Sequence, residues 1–154
     1  MTPDHRLWIV VADGEHARIL VAAEAPGQFN TDKAFDSKDA HRRAGDFGGD
    51  SPGRAYDSAG VARHAFEPRV DPHLAAKRDF LHWLADWIDD AAGRDTFDRL
   101  SLVAPARALA SLQESLGPAA RSRLIGTLAK DLVKVPDQDI PAHLTWDLLH
   151  EERP

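Results

Sequence analysis

An α/β fold, a mixed sheet flanked by helices, is predicted by three features of the chain. The apolar run Leu7 to Ala12 is rich in β-branched residues and reads as a strand covered on both faces. Two further strand-like segments follow it through short turns, which predicts an antiparallel meander. Beyond residue 72, helical stripes alternate with strand-like runs, as in β-α units.

Asp13-Gly14 closes the first run, and both residue types tolerate the positive φ of a tight hairpin. His16 to Ala23 is the return strand, with Ala17, Ile19 and Val21 on one face and His16, Arg18 and Leu20 on the other. Pro26-Gly27 makes the next turn, and Gln28 to Ser37 is a weaker third strand with Phe29, Thr31 and Phe35 as β formers. After the segment 38–72, Asp71 is expected to cap a helix with Pro72 in its first turn. Leu74, Lys77, Leu81, Leu84, Ile88 and Ala91, widened by Phe80 and Trp87, trace its stripe, and Gly93 is its expected stop. Trp83 and Trp87 lie one turn apart, and the core or its rim is their expected place. Phe97 to Ala104 reads as a buried strand, Pro105 to Leu116 as a second helix and Pro118 to Arg123 as a short third one. A final strand lies within Leu124 to Val133. Pro136 and Pro141 bracket a turn, and a terminal amphipathic helix is expected to bury Leu144, Leu148 and Leu149. This order, a meander followed by βα units, is that of a ribonuclease H-like mixed sheet.

The 154 residues suit a single domain, read as a meander over 6–37, a long loop over 38–72 and a βα half over 73–150. A chain of this length buries about two thirds of its unfolded surface and folds without staples. Its net charge of −6 argues against a broad nucleic-acid or membrane face. No Cys is present, which excludes thiolate metal sites, disulfides and a Cys nucleophile. No apolar run approaches the roughly 20 residues of a membrane span. A soluble cytoplasmic protein is expected, with no membrane partner.

Segment 38–72 has no period and holds five of the ten Gly. Loops of this length inside a domain are usually functional or disordered. It carries six basic residues (Lys38, Arg42, Arg43, Arg54, Arg63, Arg69) and six acidic ones, so the acidic excess lies elsewhere. Arg forks onto phosphates and carboxylates, and Gly lets backbone approach a ligand closely. Arg54, Arg63 and Arg69 are therefore candidate anion contacts, Tyr56 a stacking residue, and Ser58 and His64 orienting donors. The competing reading pairs the arginines with neighbouring carboxylates. His64, Glu67, Asp71 and His73 are metal-ligand types, but their spacing matches no metal motif, and no metal or cofactor is expected. Ser58 lies in no nucleophile elbow. Asp13 lacks converging carboxylates for a nuclease, and its turn explains it.

Trp8-Ile9-Val10-Val11-Ala12-Asp13-Gly14 with Ala17-Arg18 resembles the opening of a bacterial family described as host attachment protein, or protein required for attachment to host cells. Gly53 to Ser58, Arg63 to Pro68, Asp71-Pro72-His73, Phe97 to Pro105 and Lys130-Asp131-Leu132 resemble its later motifs. That family looks like a bacterial branch of the middle domain of archaeal and eukaryotic peptide-release factors, which implies a ribonuclease H-like fold and a ribosome or tRNA partner. Release factors carry a Gly-Gly-Gln loop before a long helix. Here Gly48-Gly49 is followed by Asp50, and residues 38–72 contain no Gln. A non-catalytic or weakly catalytic binding domain for RNA, the ribosome or another anionic partner is therefore expected. The alternatives are a hydrolase of a tRNA ester or RNA, with His64 or Glu67 as base, and a structural homo-oligomer.

Overall fold

The computed structural model describes residues 6–38 and 72–150. Among them one five-stranded sheet forms, in the order β3-β2-β1-β4-β5. Its strands are β1 (Leu7–Ala12), β2 (His16–Ala22), β3 (Phe29–Asp36), β4 (Arg99–Ala104) and β5 (Leu124–Ala129). β1 and β4 are parallel, as are β4 and β5, while β2 runs antiparallel to both β1 and β3. The meander passing into β-α units is the mixed α/β sheet that the sequence predicts. The helices are α1 (Pro72–Gly93), α2 (Ala106–Ser115) and α3 (Pro118–Arg121).

β1 is central because its side chains have a core on each side. Trp8, Val10 and Ala12 enter one cluster with α1 and α2; Ile9 and Val11 enter the other. The helical side is rich in rings. Trp8 stacks on Phe97 with centroids 4.5 Å apart and on Trp87 at 5.7 Å, while Phe35 meets Trp83 and Trp87 edge-on at 5.3 and 4.8 Å. Trp83 and Trp87 are thus rim residues of the core.

Four local expectations are corrected. Neither Asp13 nor Gly14 has a positive φ. Instead the Asp13 carboxylate accepts the amides of Glu15 and His16 at 2.8 and 2.7 Å, closing the turn with a side chain. Gly14 is needed for closeness: a Cβ there would lie 2.6–2.8 Å from the methylenes of Lys77. Second, Gly93 does not end α1 in a left-handed conformation; Asp95 does, at φ 56°. The amides of Thr96 and Asp95 reach back to the carbonyls of Ala91 and Ala92 at 3.0 and 2.9 Å, a Schellman closure with Asp where Gly is usual. Third, Leu74 and Lys77 are exposed rather than buried, because the first turns of α1 run beyond the ends of the strands.

The fourth correction concerns the C-terminal end. Among the described residues no α-helix forms after β5; residues 130–150 make two 3-10 segments, Asp137–His143 and Trp146–Leu148. Pro141 lacks an amide, and the remaining stretch is too short to sustain a helix on its own. The predicted leucines still pack: Leu148 is fully buried, with Leu144 and Leu149 beside it. This strap covers the second sheet face through Leu132, Ile140 and Leu148. Arg18 of β2 fastens it, donating to Asp137 Oδ1 at 2.9 Å and to the carbonyls of Leu132 and Val135 at 3.0 and 2.6 Å. Asp137 also accepts the Thr31 amide and hydroxyl. The Ser101 hydroxyl donates to the Leu148 carbonyl at 2.6 Å.

Candidate functional site

β1 and β4 run side by side, but the chain leaves them in opposite directions. β1 turns into β2 on one side, and β4 leads through α2 and α3 to β5 on the other. In open α/β sheets such a reversal opens a crevice beyond the carboxyl ends of the two strands, where ligands bind. A cleft of about 590 Å³ lies there. Its walls are the Asp13–Glu15 turn after β1, the Pro105–Ala108 start of α2 after β4, and the overhanging first turns of α1. Asp131, where the chain leaves β5, completes it.

The sequence builds each wall for a physical reason. Gly14 admits α1 against the β1–β2 turn, and the stem of Lys77 lies over it. Pro105 takes the N-cap position of α2 with φ −58° and ψ 151°, and no side chain caps this helix. The first amides of a helix have no partner within it, so the cleft meets a helix end able to donate to a ligand.

Lys77, Arg78 and Arg107 bring three cations to the cleft, and none of them pairs with a carboxylate among the described residues. Glu15 and Asp131 line it too, likewise unpaired, whereas Asp13 is occupied by its two backbone amides. The cations are not placed to stabilise α1. That helix has no acidic residue in its first turn, and Lys77 and Arg78 stand in the second, toward the positive end of its macrodipole. Asp89, farther along α1, serves the fold instead, since its Oδ1 accepts the Ala120 amide at 2.9 Å and so holds the start of α3.

Arg54, Tyr56, Ser58, Arg63, His64, Glu67 and Arg69 lie outside the described residues, as does the Asp71 cap. His73 is described, exposed on the first turn of α1. Asp13 is at the carboxyl end of β1 as expected, in the role of turn closure. No group of three His, Cys, Asp or Glu among the described residues is placed to hold a metal ion. No described helix is long and apolar enough to cross a membrane.

Sequence reasoning missed Arg78 and Arg107 and assigned Lys77 to the wrong environment. Arg107 carried one usable signal: it follows Pro105 directly after a buried strand, in the first turn of a helix without a capping side chain. The rest of the cleft depends on the pairing of β1 with β4, whose partners Leu7 and Arg99 are remote in sequence.

One family model, described as "Protein required for attachment to host cells", matches residues 8–144. No curated protein matches the chain.

Proposed function

The chain belongs to the family of proteins required for attachment to host cells, and from that premise we propose that it is a binding domain for an anionic partner, an RNA or ribosome surface. The partner is held at the cleft beyond β1 and β4 and by the arginine-bearing segment 38–72 that leads into α1. The observation that carries this reading is the set of three cations, Lys77, Arg78 and Arg107, lining a switch-point cleft without carboxylate partners among the described residues. Unpaired cations keep their charge available for phosphates, and the open end of α2 adds backbone donors. The likeness read in the sequence to a release-factor domain favours the ribosome among anionic surfaces. No step of catalysis is part of the proposal.

The test is co-sedimentation with ribosomes, and fluorescence anisotropy with labelled tRNA, over a range of salt. The parent protein binds, and log K falls with log salt by about 0.7–0.9 for each phosphate contact. Lys77→Ala/Arg78→Ala/Arg107→Ala binds more weakly with a shallower slope. Absence of binding at every salt concentration, or an unchanged slope in the triple variant, would overturn the reading.

A further inference from the structure

The cleft beyond β1 and β4 holds acceptors as well as cations, and the two are kept apart. Asp13 is taken up by the amides of Glu15 and His16, and Asp131 follows Lys130 where the chain leaves β5. Glu15 differs from both. Its backbone is held on two sides, since its amide donates to Asp13 Oδ1 at 2.8 Å and its carbonyl accepts the Ser37 amide at 2.9 Å. The residue is exposed and lines the cleft, and its carboxylate has no partner among the described residues. No ion pair forms even with Lys77, whose stem lies across the neighbouring Gly14. A carboxylate fixed at this place opposes a ligand that brings only negative charge. It accepts hydrogen bonds and donates none, so its counterpart is a donor on the ligand that also carries the anion.

The rest of the lining narrows that donor. Leu74 and Leu81 stand two turns apart on one face of α1, and both border the cleft with Ala108 of α2. Leu74 is 41% exposed, one of two large apolar side chains so open among the described residues. Cations, an apolar wall and a lone acceptor thus share about 590 Å³. Pockets for small ligands span about 300–1,000 Å³, so the cleft suits a unit or two of a single strand rather than a duplex. A ribonucleotide unit has the matching groups: a phosphate, a flat ring that an apolar wall covers, and a ribose 2′-hydroxyl that donates. DNA has the phosphate and the ring without that donor. Carboxylates near strand ends of α/β sheets hold ribose hydroxyls in this way in dinucleotide sites.

We propose that the cleft takes a single-stranded RNA segment and that Glu15 is its specificity-determining residue. Glu15 accepts the 2′-hydroxyl of one ribose while Lys77, Arg78 and Arg107 hold adjoining phosphates. The inference rests on the anion-binding reading of the cleft and adds to it a choice between RNA and DNA. Phosphate contacts position either nucleic acid; the carboxylate supplies the difference. One hydrogen bond to a charged acceptor corresponds to a preference of about tenfold or more.

The experiment is fluorescence anisotropy of the full chain with labelled oligouridine, the oligodeoxyuridine of equal length and the 2′-O-methyl oligouridine. The three share base and phosphates and differ at the 2′ position alone. The parent protein binds the RNA about tenfold more tightly than the other two. Glu15→Ala brings the ratio near one, with the circular dichroism of the parent. Glu15→Gln, which keeps an acceptor oxygen, retains part of the preference. Lys77→Ala/Arg78→Ala/Arg107→Ala weakens all three oligomers and keeps the ratio. Equal binding of RNA and DNA by the parent, or a preference that survives in Glu15→Ala, would overturn the inference and leave the anion-binding reading standing. So would a 2′-O-methyl oligomer that binds as tightly as RNA, because it lacks the donor. Failure of the parent to bind any of the three would overturn the anion-binding reading and this inference with it.

Discussion

Removing the guanidinium of Arg18 tests what holds the strap to the sheet. The side chain is only 16% exposed and makes three hydrogen bonds, to Asp137 and to the carbonyls of Leu132 and Val135. A hydrogen bond to a charged group contributes about 1.5–3 kcal/mol. The three share one donor group, so their sum is an upper limit. Breaking a buried ion pair by deleting one partner costs about 3–5 kcal/mol. Asp137 is 32% exposed and keeps the Thr31 amide and hydroxyl, so its loss is smaller. Arg18 Nε is buried without a partner, and its removal returns part of the cost. Arg18→Ala is therefore expected to destabilise by about 2–4 kcal/mol. At this chain length about 3 kcal/mol corresponds to a fall in Tm of roughly 6–12 °C. Urea unfolding followed by circular dichroism measures it, with hydrogen exchange to locate it. Exchange should rise over residues 130–150 before it rises in α1. Asp137→Asn and the double variant complete a cycle with a coupling of about 1–2 kcal/mol. A change below about 0.5 kcal/mol, the size of an ordinary surface substitution, would mean that Leu132, Ile140 and Leu148 hold the strap without the clamp.

Ser101→Ala, at a fully buried position, leaves the Leu148 carbonyl without its donor and is expected to cost about 1–3 kcal/mol in urea unfolding. A neutral result would mean that water reaches this carbonyl. At Asp95, held at φ 56°, the Gly variant is expected to be about 1 kcal/mol more stable than the Ala variant, since only Gly adopts this conformation without steric cost. Both substitutions remove the same pair with Arg123, so their difference in thermal unfolding isolates the backbone contribution. Equal stabilities would show that the left-handed turn does not persist.

The elements legible in the sequence were those set by local pattern. Leu7 to Ala12 reads as a strand because five consecutive residues from Trp8 onward are buried, and a strand with two cores needs an unbroken apolar run. α1 was legible from Leu81, Leu84 and Ile88, and Pro26-Gly27 from turn chemistry, with Gly27 at φ 76°. What stayed hidden depends on contacts between distant residues. The Arg18–Asp137 pair spans 119 positions. Nothing local marks Arg18 as a clamp, since an alternating strand could equally present it to water. The C-terminal strap was misread because Leu144, Leu148 and Leu149 fit a helical face. Their burial comes instead from short 3-10 turns fitted to an existing sheet. At the site, Lys77 fits the stripe of α1 by spacing alone, and only the overhang of the helix past β1 turns it toward the cleft.

The strap and the cleft meet at one point, which ties the shape of the cleft to the stability of the strap. Asp131 lines the cleft, and the next residue, Leu132, supplies both a buried side chain and a carbonyl for Arg18. The position of this wall is therefore set from beneath the sheet rather than from within the cleft. The opposite wall is fixed by different means: α1 is packed through Phe80, Leu81 and Leu84, and its Lys77 stem rests on Gly14. A loosened clamp thus acts on Asp131 alone, while Glu15 and Lys77 stay on the wall that the β1–β2 turn and α1 fix. Electrostatics gives that displacement a sign. Moving a carboxylate away from Lys77, Arg78 and Arg107 raises the local positive potential, so Arg18→Ala should bind a polyanion no more weakly than the parent while being less stable. Weaker binding by Arg18→Ala, measured well below its unfolding transition, would place Asp131 among the groups that position the partner rather than among those that oppose it.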